Sequence, residues 1–328
     1  MPGTVVVADS LPHTALSELE GYALRHCDGR DPRALREALA DAEAVLIRSG
    51  TRIDAAALAA APRLRIVARA GVGLDNVDVA AATRAGVVVA NAPRSNVISV
   101  AELAVGLIIA SVRRVLPANR SLRDGRWERS RYQGRELAGT TVGIIGLGHV
   151  GTLVAERLAP FGVRLLAHDP YVDTEAAHRL GARAVALDTL LSESDTVTVH
   201  VPKTPATIGL LGDRELRLMK PSAHLVNTSR GGIVDETALT AALTQGRLAG
   251  AALDVFALEP AVGNALLVLD SVVATPHIGA STHEAQERAG REAVTAVRCA
   301  LEGRPVPYAV NTPLATPVPA EPVGGGPV

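Results

Sequence analysis

An arginine, a glutamate and a histidine stand at the ends of predicted strands, where together they could move a proton beside a carboxylate-bearing molecule. Arg230 lies in Asn227-Thr228-Ser229-Arg230-Gly231-Gly232. Glycines beside an arginine let backbone come close and let the guanidinium fork reach a carboxylate and a neighbouring carbonyl oxygen. Glu259 closes the stretch 253–260, LDVFALEP, and His277 lies in Thr275-Pro276-His277-Ile278-Gly279. An anion beside an imidazole favours its protonated form, which suits a general acid donating to a ketone as hydride is delivered. Singly, each residue has a structural explanation as a surface arginine, a loop glutamate or a loop histidine. At the ends of successive strands they favour a site.

Upstream of all three is Gly146-x-Gly148-x-x-Gly151. It follows an apolar run at 142–145 and opens a helical pattern at 152–158, the context in which such glycines bind a dinucleotide. Gly146 allows the tight turn, Gly148 lets backbone approach a pyrophosphate, and Gly151 lets helix pack on strand. The helix start adds free N–H groups and a positive dipole end. The next strand, 163–168, ends in Asp169. An acid there accepts hydrogen bonds from ribose hydroxyls and repels a 2′-phosphate, so the cofactor expected is NAD.

These residues need a scaffold of alternating strands and helices. Before residue 92, strands are expected at 4–8, 44–48, 64–68 and 87–90, with helices at 16–20, 32–40, 54–61 and 77–84. The strands are continuous apolar runs, as in parallel sheets covered on both faces. Residues 91–96, NAPRSN, form a breaker cluster and a domain hinge. Ser99-x-x-Glu102 fits a capping box opening a long apolar helix to about residue 115. After the glycine loop, strands are expected at 196–201, 224–227, 249–255 and 271–275. A helix over 285–302 then returns to the N-terminal part, because the nucleotide turn lies mid-chain. The expected fold is α/β: two doubly wound parallel-sheet lobes, a flavodoxin-like substrate domain of residues 1–95 and 284–311 and an inserted Rossmann NAD domain of residues 96–283. The tail, 312–328, rich in Pro, Gly and Ala, is expected to be disordered.

Composition narrows the function classes. A net charge of −1 over 328 residues points to no nucleic-acid or membrane-surface partner. Cys27 and Cys299 are the two cysteines; they stand outside any metal spacing, so no metal site is expected. The start has no basic segment followed by an apolar one, and the apolar stretch at 97–112 is too short for a membrane span. A cytoplasmic location is therefore expected.

From about residue 45 to 311 the chain resembles the D-isomer-specific 2-hydroxyacid dehydrogenases. The segments that carry the likeness are RAGVGLDNVD, SVAELAVGL, GIIGLGHVG, LVNTSRGGIVDE, GAALDVFALEP and TPHIGAST. Within the family the likeness is greatest to the branch acting on 3-phosphoglycerate. The resemblance implies that Arg230 orients the substrate carboxylate and carbonyl, that Glu259 supports the histidine, and that His277 is the acid/base. It implies that Asp254 meets the nicotinamide carboxamide, Asp169 the ribose, and the backbone of His149 and Val150 the pyrophosphate. Val201, Thr228 and Ser229 would line the cofactor, and backbone N–H groups around Val72 and Gly73 would meet the substrate carboxylate. Arg48 and Arg69 match positions that face a substrate phosphate. Both close N-terminal strands and can point into the same cleft, and two cations suit a dianion. His149 stands where the family often has arginine.

The expected partners are a small 2-hydroxy or 2-keto acid and a second copy of the chain, the latter through the long apolar helix. The same chemistry would serve a glyoxylate or hydroxypyruvate reductase. Transcriptional corepressors of this fold, which bind peptides, are a more distant alternative. No regulatory-domain sequence follows residue 311, so serine feedback through one is not expected.

Overall fold

A computed structural model describes residues 3–312; apart from Thr312, the tail at 312–328 lies outside the described residues. The chain forms two compact units. One contains the chain up to Asn96 and again from His283; the other is Val97–Thr282.

The first unit holds five strands: β1 (Thr4–Val7), β2 (Ala23–His26), β3 (Ala44–Ile47), β4 (Ile66–Arg69) and β5 (Val88–Ala90). All pair in parallel, in the order β2-β1-β3-β4-β5. Alternate side chains enter two separate cores. Val45, Ile47 and Val67 pack with Leu39 and Ile53 on one face. Leu46 and Ile66 pack with Ala293, Val294 and Val297 of the helix His283–Leu301 on the other. Both faces are covered, which is why these strands read as unbroken apolar runs. Arg65 donates to the carbonyls of Ala300 (2.5 Å) and Leu301 (3.1 Å), meeting the unpaired end of that helix. β2, of sequence ALRH, was not expected; it is an exposed edge strand with no apolar run to announce it.

The second unit holds seven: β6 (Thr141–Ile145), β7 (Arg164–His168), β8 (Ala182–Ala184), β9 (Thr196–Val199), β10 (His224–Asn227), β11 (Gly250–Leu253) and β12 (Val272–Ala274). The order is β12-β11-β10-β9-β6-β7-β8 and every pair is parallel. The chain winds outward from β6 in one direction and from β9 in the other. The crevice beyond the C-terminal ends of β6 and β9 is the switch point where open α/β sheets bind ligands.

The long helix runs Val97–Val112, three residues earlier than the capping box required. Ser99 is therefore inside the first turn, and its Oγ meets Thr282 Oγ1 at 2.8 Å. Glu102 faces outward to Arg157 instead of back to the helix start. The helix stops at Arg113–Arg114, where Arg114 is left-handed (φ 54°), and a second helix follows at Val115–Arg123. Ser111 of the long helix meets His224 Nδ1 of β10 at 2.7 Å. Burial first, then the cations Arg135 and Arg114, hold the His224 imidazole down to about 4, so it packs against the helix as a neutral ring. Among the described residues, no helix is long and apolar enough to cross a membrane and no cluster of three or more His, Cys, Asp or Glu could hold a metal ion.

Candidate active site

The glycine loop sits where β6 meets the helix His149–Leu158. Gly146 has φ 94°, and a Cβ there would lie 2.5 Å from the carbonyl oxygen of His200. Only glycine satisfies both the turn and this approach. A Cβ on Gly151 would run into the Gly146 carbonyl, so the helix can lie this close to its strand only without one. By contrast, a Cβ on Gly148 would meet nothing within 4 Å. Gly148 is also the N-cap, with no side chain capping the helix start. The arrangement leaves open space over uncapped helical N–H groups, which suits a pyrophosphate. His149 and Val150 are the first two helical residues, and His149 is exposed.

Asp169 follows β7 and is already oriented. Its Oδ2 accepts the Leu147 amide (2.8 Å) and its Oδ1 the Tyr171 amide (2.9 Å). These bonds fix the carboxylate beside the glycine loop with acceptor capacity remaining for ribose hydroxyls. Two further polar atoms, Nδ1 of His200 at the loop and Oγ1 of Thr228 at the end of β10, are shielded from water with no hydrogen-bond partner. Burial holds the His200 ring down to about 3, so it is neutral. Val201 beside it touches the position a Gly146 side chain would occupy. An open cradle, an aimed carboxylate and unmatched buried polar atoms together fit an adenine dinucleotide.

The three loops named for chemistry interlock at the ends of β10, β11 and β12. Asn227 closes β10, accepting the Ser229 amide (3.0 Å) and donating to the Arg230 carbonyl (3.0 Å). Ser229 Oγ donates to the Val199 carbonyl (2.9 Å), tying the loop to β9. Arg230 is half-buried, and its Nη1 donates to the Ser229 carbonyl (2.8 Å). A Cβ on Gly231 would overlap the backbone of Phe256 and Ala257, so the arginine loop and the glutamate loop touch backbone to backbone.

Glu259 Oε2 lies 2.7 Å from His277 Nδ1. Its Oε1 accepts the Phe256 amide (3.0 Å), so the carboxylate is held from both sides. The side chains of His277 and Glu259 remain 45% and 38% exposed, which leaves the ring open to a substrate. His277 itself has φ 54°, a conformation a non-glycine residue adopts only when its surroundings impose it. Asp254 supplies that constraint. It is fully buried, and its carboxylate accepts Thr275 Oγ1 (2.6 Å) and the amides of Ile278 (2.8 Å) and Gly279 (2.8 Å). The side chain expected to meet the nicotinamide is turned toward the histidine loop.

Sequence reasoning gave no role to Glu236, which lies inside the motif that carries Arg230. Its carboxylate accepts the Ala257 amide and Asn264 Nδ2 (2.7 Å), bracing the loop of Glu259. The spacing from Arg230 was visible; its partners, a backbone amide and an asparagine more than 20 residues on, were not.

Arg48 and Arg69 lie on the other unit. Arg69 ends β4 and pairs in register with Ile47, so Arg48 follows directly on the neighbouring strand. Val72 and Gly73 lie in the next loop, where Asn91 Nδ2 holds the Val72 carbonyl at 2.6 Å.

Comparison with known proteins agrees with these features. A family model described as "D-isomer specific 2-hydroxyacid dehydrogenase, NAD binding domain" matches residues 105–279. The chain is 50% identical over 308 residues to a D-3-phosphoglycerate dehydrogenase of Mycobacterium bovis, covering 94% of this chain and 58% of that protein. It thus spans less than two thirds of the length of the curated relatives it matches. Among solved structures, the TT0316 protein of Thermus thermophilus superposes with a TM-score of 0.87 at 35% identity, covering 94% of this chain and all of that one. A D-lactate dehydrogenase of Aquifex aeolicus, solved with NAD and lactic acid, superposes with a TM-score of 0.82 at 28% identity, covering 92% of this chain and 96% of that one. The chain belongs to the D-isomer specific 2-hydroxyacid dehydrogenase family and carries that family's NAD-binding domain.

Proposed function

We propose that the chain is an NAD-dependent oxidoreductase of D-2-hydroxy acids, with 3-phosphoglycerate as substrate and 3-phosphohydroxypyruvate as product. The observation that carries this reading is the Glu259–His277 contact of 2.7 Å, mounted on the NAD-binding unit. A carboxylate only accepts, so Nδ1 carries the proton and Nε2 is left as the base. NAD, when bound, supplies the acceptor for the hydride leaving C2. His277 takes the hydroxyl proton on Nε2 as the carbonyl forms, and in the reverse direction returns it to the forming alkoxide. Arg230 holds the substrate carboxylate and stabilises charge on the reacting oxygen. Arg48 and Arg69, side by side on the substrate unit, hold the phosphate.

The test is NADH appearance and disappearance with a panel of 3-phosphoglycerate, D-glycerate, D-lactate and their keto acids. The expected result is that the phosphorylated pair has the highest kcat/KM. A higher value for D-lactate or D-glycerate would move the chain to another branch of the family. No turnover of any member would leave a binding role instead.

The enzyme is also proposed to act as a homodimer. Ile98, Val115, Leu116, Leu122 and Trp127 are all exposed, within thirty residues of the long helix and its continuation. Large apolar side chains left in water along this stretch support that reading, since burying them against a second copy would remove them from solvent. Light scattering in solution is expected to give twice the chain mass; a monomer at all concentrations would remove the proposal.

A further inference from the structure

The stretch from Arg113 to Glu136 holds eight arginines against three acids, Asp124, Glu128 and Glu136, a net charge of +5 in a chain whose total is −1. Asp124 and Glu128 are taken by Arg126 and Arg131. Arg113, Arg129 and Arg135 instead line a pocket of about 770 Å³, together with Trp127, Tyr132 and Glu136. That volume lies within the ~300–1,000 Å³ of small-molecule sites. Among the described residues, neither Arg113 nor Arg129 makes an ion pair or a side-chain hydrogen bond, and Arg135 reaches Asp195 only at 4.0 Å. Asp195 is already engaged by Lys220 Nζ (3.0 Å) and the Thr141 amide (2.9 Å).

Backbone packing brings these arginines together. The Arg135 amide donates to the Val112 carbonyl (3.1 Å), and a Cβ on Gly134 would lie 2.7 Å from that carbonyl. The backbone carrying Arg135 therefore lies directly on the helix end that carries Arg113. The short turn Arg129–Tyr132 is held by the Tyr132 ring, which lies under Arg131 (5.7 Å) and Arg114 (5.9 Å). Guanidinium groups gathered in this way repel one another, and an anion among them removes the repulsion. Their charge is felt inside the unit, where Arg135 and Arg114, after burial, help hold His224 down to about 4. A second copy of the chain does not supply the missing charge. A two-fold interface along this stretch sets the same arginine-rich segment on both sides. The pocket also stands apart from the dinucleotide cradle. Asp195 takes the Thr141 amide at the first residue of β6, whereas the glycine loop follows the last, so the two lie at opposite ends of the sheet.

We propose that this pocket is a second ligand site, which takes a small molecule with two or more adjacent phosphate or carboxylate groups between Arg113, Arg129 and Arg135. Guanidinium forks fit either group. The site is independent of which 2-hydroxy acid is turned over.

The test is calorimetric titration of the full chain with pyrophosphate and with citrate, at a constant ionic strength of about 0.15 M. NADH is kept saturating, so that the dinucleotide cradle is filled. The expected result is a saturable step of one molecule per chain with a Kd of about 100 μM or tighter for at least one of the two. Tighter binding of pyrophosphate identifies a phosphate-bearing ligand, and tighter binding of citrate a polycarboxylate. The double variant Arg113→Ala/Arg129→Ala is expected to weaken that step at least about tenfold. Arg48→Ala, which alters the proposed phosphate subsite on the other unit, is expected to leave it unchanged. Arg113 and Arg129 are exposed, and removing them relieves repulsion, so without the anion the double variant is expected to melt no lower than the original chain. Should it fold poorly, Arg129→Glu, which reverses one charge on the exposed turn, decides by the same ratio. No saturable binding of either anion overturns the proposal, as does equal binding by the arginine variants. Binding lost in Arg48→Ala but kept in the double variant overturns it too, by moving the anion to the substrate unit.

Discussion

Replacing His277 by alanine is expected to lower kcat about a thousandfold, equivalent to roughly 4 kcal/mol of barrier, while NADH binds as it does to the unaltered chain. The reasoning starts from what the ring does and does not touch. Nδ1 is committed to Glu259, and no hydrogen bond ties the ring to the glycine loop or to Asp169 among the described residues. Removing the imidazole therefore takes away the proposed proton carrier and leaves the dinucleotide cradle standing. Glu259→Gln should cost less, because an amide oxygen can still accept from Nδ1–H. Its loss is the anion that stabilises the ring when the proton arrives. Arg230→Ala belongs with His277→Ala in size, since in the proposed mechanism it removes both the grip on the carboxylate and the charge facing the reacting oxygen. The measurements are single-turnover NADH absorbance and NADH fluorescence titration. Turnover of His277→Ala within about tenfold of the original would remove the histidine from the chemistry.

Much of this arrangement could be read from residue order because strands announce themselves when both faces are buried. β3, β4, β6 and β10 are apolar runs, and the residues just after each run must emerge at the same edge of a parallel sheet. Asp169, Arg230 and His277 could be placed for that reason at one end of the second unit's sheet, beside the glycine loop, and Arg48 at the end of a strand in the first unit's sheet. The edge strands β2 and β8 were not legible: ALRH and ARA contain an arginine each and bury little. The capping box at Ser99 misled because the pattern tolerates a start three residues earlier, where Val97 and Ile98 are as good at beginning a helix as at preceding one. The partners of Glu236 and the donors that Asp254 accepts were invisible for another reason. They are in large part backbone amides, which every residue but proline possesses, so the sequence does not mark them.

Asp254→Asn is expected to lower kcat about ten- to a hundredfold and to lower the melting temperature of the NAD-binding unit by roughly 5 °C. Both effects come from one geometric fact. The carboxylate accepts three donors, Thr275 Oγ1 and the amide of Ile278 on Oδ1, and the amide of Gly279 on Oδ2. An asparagine can keep the first two through its oxygen, but its NH2 then faces the N–H of Gly279, donor against donor. Turning the amide over places the clash at Ile278 and Thr275 instead. In either orientation a buried N–H loses its partner, which costs about 1–3 kcal/mol. The strain falls on the residues next to His277, whose φ of 54° exists only while the loop is held. The loop relaxes most easily by letting His277 return toward an ordinary conformation, which carries the ring away from Glu259. A contact of Asp254 with the nicotinamide through the remaining lone pair of Oδ2 is compatible with this geometry, and the two roles separate cleanly. If the clamp dominates, Asp254→Asn lowers kcat and melting temperature while the NADH dissociation constant stays nearly constant. If the nicotinamide contact dominates, NADH binding weakens and the melting temperature of the free chain does not move. Thr275→Val removes one donor from the clamp without altering the carboxylate, so only the clamp predicts that it too lowers kcat.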